Sequence, residues 1–147
     1  CKPANAKRIP TRDYDAKFSL QFCVAAAAAR GEFGLAELDP AALRDKDILA
    51  LAQRVNFEHW AQSKFPEYFS GGIRIKTSSG ETVEHFETEN RGAAGRALDA
   101  HAVRQKFNAN MLTSTSQSRA DEVWNEIMAL PAAATLERLN NILSAQG

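Results

Sequence analysis

Lys17, Ser19 and Gln21 alternate with apolar residues in the string Asp15-Ala16-Lys17-Phe18-Ser19-Leu20-Gln21-Phe22-Cys23-Val24, which runs on into five alanines. They bring a cation, a hydroxyl and an amide to the start of a helix, where free backbone amides add anion-binding potential. Residues i and i+2 of a helix point to different faces, so the three side chains cannot all converge while the segment is helical. If Asp15 to Ser19 is still extended, Lys17 and Ser19 share a side. The plain alternative is a solvated Lys17 beside a Ser19 that caps the helix, and residue physics alone favours it.

Other residues with chemical potential are scattered. His59, His85 and His101 fall on three separate elements, which argues against a joint histidine or metal site. Arg91-Gly92-Ala93-Ala94-Gly95-Arg96 is a basic loop that could meet a carboxylate or simply connect two elements. Trp60, Phe65, Tyr68 and Phe69 suit a small core or a partner surface better than a cofactor box. No P-loop, dinucleotide glycine fingerprint, nucleophile elbow or zincin pair occurs. Two cysteines, Cys1 and Cys23, are too few for a disulfide framework or a structural zinc site. Cys23 reads as a small buried hydrophobe, and Cys1 as part of a disordered or cut end. The expectation is therefore no cofactor and no metal.

The frame that must hold these residues is that of an ordinary globular chain. Its 147 residues, 44% hydrophobic and 24% charged, are enough for one domain. Eighteen basic residues balance eighteen acidic ones, so no net field recruits nucleic acid or an anionic membrane. The longest apolar run, Phe22 to Ala29, is far short of the ~20 residues needed to cross a bilayer. Nothing argues for an oxidising compartment, and a cytoplasmic location is expected.

Periodicity places the elements. A helix is predicted from about Asp15 to Arg30, stopped by Gly31. Being apolar on every face, it is expected to be buried. Asp39-Pro40 opens a short turn, and Asp47 begins a helix striped with Ile48, Leu51, Ala52 and Val55. A strand is predicted near 55–59. The clearest β signal is a hairpin over 73–88. A three-residue loop ending in Gly80 sets Ile75 opposite Val83 and Arg74 opposite Glu84, with glycine at a left-handed position. Phe86 does not fit the inward face, so a bulge or a two-sided strand is expected there. Helices follow from Asp99, from Ser118 with Asp121 as a capping-box start, and from about Ala133 to Ala145. The fold class is α+β: an antiparallel sheet with helices packed on one face and a helical C-terminal tail, in a single domain. The stripe Leu136, Leu139, Ile142 and Leu143 needs a partner. It is expected to dock on a second copy, making a homodimer, or to project poorly ordered.

Three segments, in order and at suitable spacing, resemble the C-terminal half of the 2-methylcitrate dehydratase family (MmgE/PrpD). They are Asp15 to Phe22 with its small-residue helix, the hairpin Ile73 to Glu87, and Asn90-Arg91-Gly92 leading to Val103-Arg104-Gln105-Lys106-Phe107-Asn108-Ala109-Asn110. The resemblance implies a lid domain that closes over a di- or tricarboxylate in a cleft formed with an N-terminal helical domain. The implied chemistry is cofactor-independent lyase or isomerase chemistry: dehydration, decarboxylation or epimerisation. It raises Lys17, Ser19 and Gln21 to substrate contacts, a cation and two neutral donors suited to carboxylates. It places the general base outside this chain, as the C-terminal part of a larger two-domain enzyme. The rival reading is a stand-alone α+β binding or dimerisation module without catalysis.

Overall fold

The computed structural model describes residues 4–144, so Cys1 and Ala145 lie outside the described residues. The chain divides into two compact units, with the boundary in the sequence between Leu98 and Asp99. The first holds helices α1 (Ala4–Lys7), α2 (Asp13–Lys17), α3 (Leu20–Arg30) and α4 (Lys46–Arg54), and strands β1 (Gly71–Lys76) and β2 (Thr82–Glu87). The second holds α5 (Ala100–Met111), α6 (Gln117–Ala129) and α7 (Glu137–Ser144). The fold class is α+β, as predicted. Among the described residues, no helix is long and apolar enough to cross a membrane.

The helix predicted from Asp15 is two helices. Phe18 ends α2 with φ −106°, and Ser19 takes up an extended conformation as the N-cap of α3. Serine competes for backbone amides better as a cap than within a helix, and here that preference breaks the run. Gly31 closes α3 at φ +81°, donating its amide to the Ala27 carbonyl. Nor is α3 buried all round. Phe22, Ala25 and Ala26 enter the core, while Leu20 and the last alanines stay exposed. An exposed alanine leaves little apolar area in water, so an all-apolar sequence need not be sheathed on every side.

That core is a helix pair. α3 packs on α4, with Ala16, Phe22, Ala25, Ala26, Leu38, Leu43, Ile48 and Ala52 buried together. Alanines on both helices permit close approach, so Phe22 and Ile48 are fully buried; each stabilises by about 1.5–3 kcal/mol. The cap of α4 is Asp45, two residues before the predicted start, accepting from the Asp47 and Ile48 amides. Those amide bonds, led by that of Ile48, hold the Asp45 carboxyl below its ordinary range.

The hairpin has the predicted register: Ile75 faces Val83, Arg74 faces Glu84, and Gly80 has φ +87°. Arg74 bonds Glu84 across the strands and reaches Glu58 at 3.0 Å. Phe86 sits in a two-sided strand without a bulge, opposite Gly72 and 5.3 Å from the Trp60 ring.

Two expectations about the sheet fail. Among the described residues, the sheet has two strands, and 55–59 is unpaired backbone. Val55 caps the end of α4 instead, and the side chain of Asn56 bonds Arg8 and the Arg54 carbonyl. Among the described residues of the first unit the helices pack chiefly on one another rather than on the hairpin, leaving Ile75 and Val83 over 40% exposed.

In the second unit Asp99 caps α5, as predicted, by accepting from the Ala102 amide at 2.7 Å. The cap of α6 is Ser116 rather than Ser118, its hydroxyl accepting from the Arg119 amide, while Asp121 is engaged by Arg104 and Gln117. α7 starts at Glu137, four residues after its predicted start. It packs on α6 and buries Ile142, while Leu136 and Leu143 stay more than half exposed. Part of the stripe is thus covered within the chain itself, without a second copy.

Candidate functional site

Ser19 is fully buried where two segments join. Its Oγ accepts the Phe22 amide at 3.0 Å, the capping bond, and donates to the Lys7 carbonyl. A hydroxyl has one proton, and here the Lys7 carbonyl holds it. Lys7 ends α1, which lies against α3. The next residue, Arg8, donates to the Gln53 carbonyl and, at 2.9 Å, to Asn56 Oδ1, at the end of α4. Sequence reasoning missed this anchorage. Arg8 and Asn56 lie 48 residues apart, with no local pattern to connect them.

Gln21, in the first turn of α3, is also fully buried. Neither Nε2 nor Oε1 meets a hydrogen-bond partner among the described residues. A buried polar group left unpaired costs roughly 1–3 kcal/mol. Side chains at a helix start lean toward its N-terminus, where backbone amides are also free. This corner can therefore supply an amide donor, an amide acceptor and a serine hydroxyl.

Lys17 is not brought into it. The residue ends α2, its ammonium exposed and 3.3 Å from Asp13 Oδ2. Asp13 is held below the usual carboxylate range by the Tyr14 amide first and Lys17 second. Ser19 and Gln21 are thus interior, and Lys17 is on the surface nearby in sequence. Cys23 is half-buried with its thiol against the Ala16 carbonyl, and burial pushes its pKa up, away from nucleophilic chemistry.

The remaining candidates serve structure. His85 bonds Glu87 at 2.9 Å, and Arg96 bonds the same carboxylate and the Glu89 carbonyl. Glu89 accepts from the Gly95 amide, so the loop 89–96 is closed by its own charges. His59, His85 and His101 are exposed and separate. Among the described residues, no group of three or more His, Cys, Asp and Glu could hold a metal. In the second unit a cleft of about 370 Å³ lies between α6 and α7, lined by alanines and leucines with Glu126 and Arg138.

Compared with known families, the chain matches the MmgE/PrpD C-terminal domain over residues 2–130. No curated protein matches it significantly. The matched span takes in the start of α3, the hairpin and α5.

Proposed function

This chain belongs to the MmgE/PrpD C-terminal domain family, and we propose that it is the lid of a lyase or isomerase acting on di- or tricarboxylic acids. The lid closes over a cleft formed with an N-terminal helical domain that supplies the general base. The reading requires no cofactor. Ser19, Gln21 and Lys17 are the proposed substrate contacts. The observation that carries the assignment of the site is Gln21, a buried amide with both polar atoms unpaired.

A carboxylate at the start of α3 would take the Gln21 N–H and the Ser19 O–H, gaining from the positive end of the helix. Lys17 is held, among the described residues, by an exposed ion pair with Asp13 that solvent screens, so its ammonium is free to turn toward a second carboxylate. Stabilising a carboxylate while the neighbouring carbon loses a proton is electrostatic catalysis, which a closing lid supplies by excluding water.

The test is kinetic, in the enzyme assembled with its helical domain. Lys17→Met should lower kcat/KM on 2-methylcitrate or cis-aconitate by roughly 10–100-fold, the scale of a charge-assisted bond. The chain by itself should show no turnover. Unchanged kcat/KM in a normally folded Lys17→Met enzyme would return Lys17 to an ordinary surface residue. The stand-alone binding-module reading would then gain ground.

A further inference from the structure

We propose that the segment Ala4–Arg8 is a displaceable strap that occupies the ligand's place at the start of α3. The inference rests on the carboxylate-site reading above and concerns how that site is reached. Ser19 and Gln21 are both completely buried, so no ligand touches either until something moves. The segment bonded to Ser19 is this one, through the Lys7 carbonyl. Since Ser19 has a single proton, a carboxylate can accept it only by replacing that carbonyl. Strap and ligand are competitors for one hydrogen bond.

The strap's own fastening suits release. Apart from Ser19, its polar side-chain anchors among the described residues are the two Arg8 bonds, to the Gln53 carbonyl and to Asn56, both at the exposed end of α4. Arg8 Nε is buried without a partner among the described residues, and so are both polar atoms of Gln21. The closed arrangement therefore leaves three polar atoms unmet. A bound carboxylate would satisfy the Gln21 donor directly, and it replaces the lost Lys7 bond with a charge-assisted one. Ligand binding and strap opening are then one equilibrium, and weakening the strap raises apparent affinity by enlarging the open fraction.

Citrate is the probe, titrated into the full chain by calorimetry against sodium chloride of equal ionic strength. Amide hydrogen exchange of residues 6–8 is followed in the same solutions. Citrate should speed exchange at residues 6–8. Asn56→Ala, which removes one anchor and keeps every charge, should bind citrate roughly 3–10-fold more tightly. Arg8→Ala should also tighten binding, and its far-ultraviolet circular dichroism checks that it folds. Citrate binding with equal affinity in all three proteins and unchanged exchange at residues 6–8 would overturn the strap and leave the carboxylate site standing. Absence of citrate binding in all three would overturn the strap, while the carboxylate-site reading stands or falls on the kinetics of the assembled enzyme.

Discussion

Gly72 on β1 lies directly opposite Phe86 on β2, and the phenyl ring covers it so closely that a Cβ there would overlap the ring's Cδ1. The same ring rests on Trp60 at 5.3 Å. Gly72→Ala should push Phe86 off Trp60 and cost about 1–2 kcal/mol. Gly71→Ala, with nothing within 4 Å of its new carbon, is the control. Urea unfolding and Trp60 emission in a Trp124→Phe background are the readouts. An unmoved Trp60 signal in Gly72→Ala would mean the ring does not depend on the glycine.

Glu87 should make the hairpin and its following loop acid-sensitive. Its carboxyl is held below the ordinary value, first by His85 and then by Arg96. A depressed folded-state value means the folded protein holds fewer protons than the unfolded one. That contribution is complete above the unfolded value, about pH 4.3, and is lost as pH falls below it. Urea midpoints should therefore fall more steeply below that pH in the wild type than in Glu87→Gln. Parallel profiles would remove Glu87 from the acid response.

The contrast between what the sequence reveals and what it hides is plain at these residues. The Arg74–Glu84 register was legible because hairpin pairing is local and a glycine at the left-handed position fixes the loop. The Asp99 cap was legible for the same reason. Ser19 as a helix cap was legible too, as the plainer of two readings; what periodicity hid is that the cap splits the helix predicted from Asp15, which the bond to the Phe22 amide decides. The strand expected near 55–59 failed because its backbone finds no partner in the two-stranded sheet, a long-range matter that a local run of residues does not report. Of the site, the residue types were visible. Exposure of Lys17 agrees with the plain reading of a solvated cation, whereas burial of Ser19 and Gln21 depends on tertiary packing that periodicity does not report.

Arg104 should hold the second unit together. Its guanidinium bonds Asp121 and lies 4.7 Å from the Trp124 ring centre and 5.6 Å from that of Phe107. Lysine keeps the charge but loses the planar fork and the stacking. Arg104→Lys should cost about 1–2 kcal/mol by thermal or urea unfolding. A loss below a few tenths would show the stack to be incidental.

Ser19→Ala removes the α3 cap and the bond to the Lys7 carbonyl together. The expected cost is about 1–2 kcal/mol, with Ser19→Thr recovering most of it because threonine also caps. No loss in Ser19→Ala would show that neither the cap nor the Lys7 bond stabilises the fold, and equal losses in both variants would show that the added methyl costs as much as the missing hydroxyl.

The central claim is that Gln21 is kept for a ligand and not for the fold. The most direct measurement pairs stability with citrate binding in Gln21→Met, which keeps an unbranched side chain of similar size and removes the amide. An unpaired buried amide costs stability, so its replacement should raise the unfolding free energy by about 1–2 kcal/mol. Citrate affinity should fall at least tenfold. A destabilised Gln21→Met that binds citrate as the wild type does would contradict the account.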